Sequence, residues 1–393
     1  MSSRASTLAL DTAQSSRSAF PPLVLFSCGH FFVDLYSIAL GVLQPLLLAQ
    51  YGLSLTQAGI LGGTLVFSSS VMQPVYGYLS DRFRSHLFTA LAPAGAAIFI
   101  SSLGLASGYG TLLAMVWLGG AAIASFHPQA TANATLGIKR NRGRAMATFI
   151  SSGTLGLALG PTYFSWVTGT LGLTRTYWAA IPGVVMSLLL LAFLRVSPVS
   201  SGPRLDVDLT PLRAVWRPLT ILFLLVVIRS VVQVTFGQFL PLYLKLQRGY
   251  PLAAASYITS AYLIGGALGG FTGGNLADRF GGRRIILLSM IGSVPFLLLF
   301  VFTTGLFSIA GLILGGLILL FTIPINVMMG QELVPANAGT VSALMMGAAW
   351  GSAGIVFIPL TGWISDHYSM QTAFTGLVIA PLIGFLLALK LPK

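Results

Sequence analysis

Long apolar stretches separated by short polar ones alternate along nearly the whole chain, from Pro21 to Leu391. Each stretch is about 20 residues long, which is enough for a helix to cross the hydrocarbon layer of a membrane. Helices are favoured over strands because every backbone N–H and C=O group must be satisfied inside lipid. The pattern predicts an all-α membrane protein of twelve transmembrane helices, which begin near Pro21, Thr56, His86, Tyr109, Arg144, Arg175, Pro218, Leu252, Arg284, Leu306, Gly339 and Met370.

One long polar connection, from Arg195 to Arg217, interrupts this pattern. Its prolines, glycine and two aspartates are typical of a linker. The polar segment before Pro21 has no apolar core, so we interpret it as a cytoplasmic tail and not as a signal peptide. The predicted organisation is a tail over residues 1–20, a six-helix half over 21–195, a cytoplasmic linker over 196–216 and a second six-helix half over 217–393.

The two halves resemble each other in sequence. Prolines and glycines recur at an offset of 196 residues, and a short acidic loop motif recurs at an offset of 197. The matched positions are Pro22 with Pro218, Pro45 with Pro241, Gly119 with Gly315, Pro128 with Pro324, and Asp81 with Asp278. Six spans per half give both halves the same orientation, so the sequence predicts two pseudo-symmetric halves with a site between them.

Composition and charge support a membrane location. The chain is 55% hydrophobic and only 7% charged, too little charge to solvate a soluble protein of this size. With a cytoplasmic N-terminus, 17 of the 21 Lys and Arg residues fall in cytoplasmic segments. This bias predicts the inner membrane with both termini in the cytoplasm. The net charge of +13 therefore indicates contact with membrane lipid, and a nucleic-acid partner is not expected because no separate basic domain exists.

The loop motif occurs once per half, after the second and the eighth predicted spans. In the second half a glycine permits close helix approach, an aspartate can cap a helix of the other half, and arginines can pair there or bind anionic lipid. We predict a cytoplasmic gate, although ordinary basic loop residues would also satisfy the charge bias. The gate residues are Gly77, Asp81 and Arg82 in the weaker first copy, and Gly274, Asp278, Arg279, Arg283 and Arg284 in the second.

Two charged residues are predicted to lie deep within spans, where ionisable groups are costly and indicate function. Asp34 lies about 18 Å along the first span at 1.5 Å per residue, and His30 is one helical turn earlier on the same face. Arg229 aligns with Val33 in the half-repeat, so it should lie at nearly the same depth. We predict that Asp34 and His30 carry a coupling proton, and that Asp34 and Arg229 face one cavity and pair in part of the cycle. The alternatives are a structural aspartate and an Arg229 site for an anionic substrate group.

Further polar residues within spans are candidates for the substrate cavity. His127 precedes Pro128, which can bend the fourth span, and the imidazole could either titrate or serve as a structural donor. The uncharged candidates are Gln44, Gln129, Gln233, Gln238 and Asn326.

The fifth span carries small residues on one face and a proline, at Gly156, Gly160 and Pro161. The pattern predicts a kink and resembles a motif of exporters, although close helix packing by glycine would explain it equally.

No enzyme chemistry is visible in the sequence. A nucleotide-binding loop of the Gly-x-x-x-x-Gly-Lys type is missing, and no Ser/His/Asp arrangement has support from spacing. The four histidines and the single cysteine are scattered, so no metal cluster is visible. We expect no cofactor, with the proton gradient as energy source.

Several runs of residues resemble a known family. The chain is similar over nearly its whole length to major facilitator transporters, and within them to the fosmidomycin-resistance protein group. The runs that carry the resemblance are His30-x-x-x-Asp34, Gln73-Pro74-Val75-x-Gly77-Tyr78, Phe126-His127-Pro128, Leu159-Gly160-Pro161, Gln331-Glu332-Leu333-x-Pro335 and Asp366-His367. The resemblance implies proton-driven drug efflux by alternating access, with Asp34 and His127 along the path. Gln129 departs from the pattern, because members often have an acid after His-Pro.

The sequence therefore predicts a monomeric secondary transporter, an antiporter that couples protons to the export of a small organic compound or drug. An uptake symporter for a sugar, carboxylate or phosphorylated metabolite would use the same charged residues. A non-transporting membrane receptor is the alternative from another class.

Overall fold

The protein is described by a computed structural model that covers residues 22–83, 86–136, 138, 141–194 and 210–391. Throughout these residues the chain is helical and contains no strand. Twelve helical segments, numbered here α1 to α12, follow one another. The first six are α1 Pro22–Tyr51, α2 Leu55–Val71 with Gln73–Phe83, α3 Leu87–Ser101, α4 Tyr109–Asn133, α5 Arg142–Leu171 and α6 Leu173–Phe193. The others are α7 Trp216–Gln247, α8 Leu252–Phe280, α9 Gly282–Phe302, α10 Gly305–Leu333, α11 Ala338–His367 and α12 Met370–Ala388.

The helix starts agree with the apolar pattern, since each described helix begins within two residues of its predicted start. Nine of these helices are long and apolar enough to cross a membrane, and the bent α2 is a tenth. The helix α3 is apolar but shorter, and the 30-residue α5 carries more polar residues. The all-α membrane architecture is confirmed, and the predicted number of twelve is consistent with it.

Large apolar side chains cover the outside of the bundle. Leu306 is 78% exposed, and Phe271 and Phe307 are each 74% exposed. Exposure of these apolar side chains to water would be unfavourable, whereas contact with lipid tails is favourable.

The helix α2 is broken near its middle. Its first part ends in a π-helical stretch, Phe67–Val71, and the following part turns away by 41°. A similar π-helical stretch, Leu344–Ala349, lies in α11 and contacts the one in α2. Such stretches leave the regular hydrogen-bond ladder and often occur at functional sites.

The buried apolar residues form two clusters. One draws on residues between Leu25 and Leu194, and the other on residues between Leu219 and Leu391, together with Ala58 and Val66 of α2. The first six helices and the last six therefore each have a core, and they meet where α1 packs on α7, α2 on α11, and α5 on α8.

Because the helices alternate in direction, Pro22 and Leu391 lie at the same end of the bundle, which we name the terminal end. The opposite end carries Tyr51 and Leu55 and is named the far end. The predicted tail over residues 1–20 and most of the predicted linker over 196–216 lie outside the described residues. The domain boundaries therefore stay predictions.

Candidate functional site

Three polar side chains meet inside the N-terminal half. The helix α1 supplies His30 and Asp34, which lie one turn apart on the same face. The helix α4 supplies His127, just before Pro128. The helix α5 packs along α1 and covers the group with Phe149, whose ring stacks on His30 at a centroid distance of 4.4 Å. We name His30, Asp34 and His127 the triad.

Both carboxylate oxygens of Asp34 face an imidazole. The Nε2 atom of His30 lies 3.3 Å from one oxygen, and the Nε2 atom of His127 lies 3.4 Å from the other. His30 and Asp34 are buried, whereas the side chain of His127 is 22% exposed and forms the open side of the triad. His30 and Asp34 are adjacent, as their spacing predicts. His127 is a third member of the group; the sequence analysis had named it as a cavity candidate and, from the resemblance, had placed it along the path with Asp34.

The hydrogen bonds of the two Nδ1 atoms fix the tautomers of His30 and His127. Nδ1 of His30 lies 2.9 Å from the carbonyl oxygen of Phe149, and Nδ1 of His127 lies 2.9 Å from that of Ile123. Because a carbonyl oxygen only accepts, each Nδ1 must donate its proton there. In the neutral imidazoles both Nε2 lone pairs then point at a carboxylate, so the triad requires positive charge, either protons or a metal ion, between its acceptor atoms.

Close helix packing makes room for the triad. A Cβ atom at Gly153 of α5 would lie 2.6 Å from a carboxylate oxygen of Asp34, so only glycine fits without a shift. Further along α5, Gly156 and Gly160 approach the backbone of α1 in the same way. The helix α5 continues through Pro161 to Leu171. The glycines of the predicted kink motif therefore pack closely on α1, and the kink and the likeness to the exporter motif stay predictions.

The triad could also hold a metal ion, since one ligand atom from each of its three residues lies within 4.8 Å of the others. The scattered sequence positions of the histidines gave no sign of this cluster, because α1 and α4 bring it together only on folding. Sequence reasoning missed this assembled group, and whether it holds a metal is left untested by the geometry alone.

Arg229 lies on α7 in the other half and is 6% exposed. Its guanidinium donates to the side chain of Gln233 on the same helix, and its Nε atom has no hydrogen-bond partner among the described residues. The Tyr262 hydroxyl lies close enough to interact electrostatically with Arg229 and is likewise unpaired, as is the amide of Asn326. No ion pair joins Arg229 to Asp34 in this conformation, so their predicted pairing stays a prediction for another state.

The remaining uncharged candidates have separate environments. Gln44 is fully buried and donates to the carbonyl of Ala58, which fastens α1 to α2. Gln129 accepts a hydrogen bond from Thr89 of α3 at 2.6 Å. Gln238 is buried where α7 meets the N-terminal half, and its side-chain oxygen has no partner among the described residues. Their part in a substrate cavity stays a prediction.

The predicted gate motif lies at the terminal end. The Asp278 side chain is exposed and has no hydrogen bond or ion pair with any described residue. Arg283 donates to the carbonyl of Leu389, which ties it to its own half. Arg82 contacts the Tyr78 hydroxyl, whereas the side chain of Asp81 lies outside what the structure describes. The gating role stays a prediction.

The halves are instead joined at the far end, by a contact that sequence reasoning missed. Asp366, at the end of α11, accepts hydrogen bonds from the backbone N–H groups of Leu55 and Thr56 at 2.9 and 2.7 Å and from the Thr56 hydroxyl at 2.6 Å. A carboxylate at this position caps the N-terminus of α2 and interacts favourably with its helix dipole. The available sequence signal was weak. Asp366 lies near the end of one predicted span, and Thr56 lies at the predicted start of another.

A second contact between the halves joins the hydroxyls of Thr162 in α5 and Ser260 in α8, which are 2.9 Å apart. Among the described residues, these two and Asp366 with its α2 partners make the side-chain hydrogen bonds that join the halves. Side-chain hydrogen bonds therefore join the halves at the far end.

Comparison with known proteins supports the same architecture. The chain is 27% identical to the uncharacterized MFS-type transporter YfnC of Bacillus subtilis, over 96% of this chain and 94% of that protein. It is 26% identical to the fosmidomycin resistance protein of Escherichia coli, over 94% and 93% of the two chains. A probable nitrate/nitrite antiporter of Thermus thermophilus is 30% identical over 63% of this chain and 58% of that protein.

Solved structures share the fold at lower identity. A bacterial homologue of the human lysosomal transporter Spinster, described as inward-facing and occupied, superimposes with a TM-score of 0.81 at 14% identity, over 93% of this chain and 95% of that one. A D-xylose-proton symporter superimposes with a TM-score of 0.74 at 16% identity, over 96% and 98% of the two chains.

The family model of the Major Facilitator Superfamily matches residues 26–357 and 251–393, which together span nearly the whole chain. Two six-helix halves, a multi-pass membrane surface and buried charged residues in both halves fit that match. This chain belongs to the Major Facilitator Superfamily and is a membrane transporter.

Proposed function

We propose that the protein is a proton-coupled secondary transporter that exports a small organic anion across the inner membrane by alternating access. The observation that carries the proposal is the triad, in which a buried carboxylate faces two imidazole Nε2 atoms at 3.3 and 3.4 Å. These facing acceptors need positive charge, and protons that enter from one side and leave to the other supply it. Asp34 is the acceptor of the coupling proton, and His30 and His127 share it.

The orientation of the transporter follows from the charge bias along the chain. Since most Lys and Arg residues flank the terminal end, we place that end and both termini in the cytoplasm. The far end, which Asp366 holds closed, then faces outward, and the conformation is inward-facing. The similarity to a structure described as inward-facing supports this assignment.

The substrate class follows from Arg229. A buried guanidinium without a carboxylate partner is costly in a membrane protein, and an anionic ligand would supply the missing charge. Guanidinium groups bind carboxylate, phosphate and phosphonate through paired hydrogen bonds. A fosmidomycin resistance protein and a probable nitrate/nitrite antiporter are among the relatives, which supports an anion and a drug-efflux role. The expected unit is a monomer, because both halves of the site lie in one chain.

The cycle needs a link between proton and substrate. Antiport requires that a proton binds Asp34 in the outward-facing state and leaves it in the inward-facing state. The anion takes the opposite path, because it binds Arg229 in the inward-facing state after the proton has left and is released in the outward-facing state. Each event changes the relative energy of the two openings, as population shift requires.

The experiment that tests the proposal begins with thermal stabilisation of the purified protein by phosphonates, carboxylates, sugars and cationic drugs. The compound that stabilises most is then followed in proteoliposomes under an imposed pH gradient. Antiport predicts that the compound moves in the direction opposite to the inward proton flow. Addition of the compound on one side of the membrane should therefore move protons from the opposite side to the side of addition. Movement with the protons would establish an uptake symporter, and binding without movement would establish a receptor.

A further inference from the structure

We propose that the triad is also a binding site for a divalent transition-metal ion of the Zn²⁺ class. The three residues offer two imidazole nitrogens and one carboxylate, with one ligand atom from each within 4.8 Å of the others. Nothing in the sequence motifs or the family relationship requires a metal here. Three features of the geometry carry the proposal.

The first feature is the orientation of the imidazoles. Metal-binding histidines usually donate the second ring N–H to a carbonyl or carboxylate, which fixes the tautomer and aims the free lone pair at the metal. His30 and His127 both do this, through Phe149 and Ile123, with Nδ1 to oxygen distances of 2.9 Å. Both Nε2 lone pairs therefore converge beside the same carboxylate.

The second feature is the spacing of the ligand atoms. In a tetrahedral Zn²⁺ site with bonds of about 2.0–2.1 Å, neighbouring ligand atoms lie roughly 3.3 Å apart. The Nε2 to oxygen distances at Asp34 are 3.3 and 3.4 Å, each to a different oxygen of the carboxylate. One ligand atom from each of the three residues lies within 4.8 Å of the others, so a bound ion would draw the three atoms closer together. Gly153 keeps this space free, since a side chain there would press on Asp34 and His30.

The third feature is the combination of burial and access. His30 and Asp34 are buried, so an uncompensated carboxylate there is costly and a bound cation is stabilising. His127 has the most exposed side chain of the three and leaves one side of the triad open. An ion can enter there, and its remaining coordination position is left for water.

The ligand set selects the class of metal. Imidazole nitrogens suit Zn²⁺ and its transition-metal neighbours, whereas Mg²⁺ and Ca²⁺ prefer sites made only of oxygen. The one cysteine, Cys28, is exposed and is not part of the cluster, so no thiolate favours Cu⁺. If the proposed function holds, Zn²⁺ also inhibits transport, because it takes the lone pairs that accept protons.

Binding is measured on the full-length purified protein without a polyhistidine tag. Zn²⁺ alone is titrated calorimetrically, and Co²⁺ is used as a spectroscopic probe of the ligand geometry. We expect one ion per chain, a Co²⁺ absorption spectrum typical of tetrahedral nitrogen and oxygen ligands, and affinity at least tenfold weaker in His127→Gln. The matched control is His367→Gln, which removes an exposed imidazole outside the triad and should leave the affinity unchanged.

Three results would overturn the proposal. They are no Zn²⁺ binding by the wild-type protein, an octahedral Co²⁺ spectrum without nitrogen ligands, and equal affinity in the wild type and His127→Gln. The Co²⁺ spectrum of the wild type tests the ligand geometry even if the variant does not fold. Transport measured in EDTA separates the two proposals. Transport by a protein that binds no Zn²⁺ would contradict only the metal proposal, and Zn²⁺ binding by a protein that does not transport would contradict only the proposed function.

Discussion

The two halves of the bundle differ in how their buried charged side chains are paired. In the N-terminal half, both oxygens of Asp34 are engaged by histidines whose other nitrogens are themselves hydrogen-bonded. In the C-terminal half, Arg229 has one side-chain partner, Gln233, and an unpaired Nε atom. Titratable side chains that are hydrogen-bonded to one another can hold exchangeable positive charge without a ligand. A buried guanidinium with an unpaired N–H group is instead stabilised most when an anion binds to it. The difference supports our proposal that the N-terminal half carries the coupling proton and the C-terminal half binds the substrate.

The largest expected effect comes from crowding the N-terminal site. Gly153→Ala places a methyl group 2.6 Å from an Asp34 oxygen and should separate the triad, so transport falls to background. Gly169→Ala on the same helix meets nothing within 4 Å and should transport like the wild type. Flux in proteoliposomes at matched protein content measures both. Normal transport by Gly153→Ala would show that the triad geometry is not needed.

The next effect tests the C-terminal site. Arg229→Gln should weaken binding of the anionic ligand by roughly 10- to 100-fold, because hydrogen bonds to a charged group contribute about 1.5–3 kcal/mol. The ligand-free protein should keep its melting temperature, since an unpaired buried charge has been removed. Calorimetry and thermal unfolding measure the two quantities.

The control for Arg229 is Arg248, which directly follows α7. Arg248 is fully engaged, with hydrogen bonds to the Tyr243 hydroxyl at 2.9 Å and to the carbonyl of Thr303 at 2.7 Å. Arg248→Gln should therefore lower the melting temperature and leave ligand affinity unchanged. If Arg229→Gln behaved in this way instead, Arg229 would be a structural residue and the contrast between the halves would be lost.

The smallest effect concerns the contact that couples the halves. Asp366→Ala removes the acceptor of the α2 N–H groups, which contributes about 1 kcal/mol, so the far end should open roughly fivefold more often. Asp278→Asn should shift the equilibrium between the two openings in the opposite direction. The contacts predicted for Asp278 form only when the terminal end closes, so their loss disfavours that state. Spin-label distances between Gly110→Cys and Tyr368→Cys, in a Cys28→Ser background, report both shifts. Shifts of the same sign in the two variants would contradict the assignment of the two ends.

Much of the fold could be predicted from the sequence, because apolar blocks of membrane-spanning length define where helices begin and end. The pairing of His30 with Asp34 could be predicted for the same reason, since residues four apart share a helix face. The depth of Arg229 followed from the repeat between the halves. Each of these inferences uses distances along one helix or one internal repeat.

The remaining contacts depend on how separate helices pack. His127 reaches Asp34 from a separate helix, and Gly153 of a third helix leaves the space that His30 and Asp34 occupy; no sequence spacing encodes either approach. Asp366 reaches α2 across the boundary between the halves, which no spacing within one half encodes. The predicted pairing of Asp34 with Arg229 also joins residues of separate halves, so one sequence position cannot specify the partner.

The most direct test of the division between the halves is to count protons in Asp34→Asn. The amide keeps the size of the side chain and removes the exchangeable carboxyl proton. Addition of the identified ligand to wild-type proteoliposomes should move protons, whereas Asp34→Asn should bind the ligand through Arg229 and move none. Ligand-dependent proton movement at the wild-type ratio in Asp34→Asn would contradict the assignment of coupling to the N-terminal half.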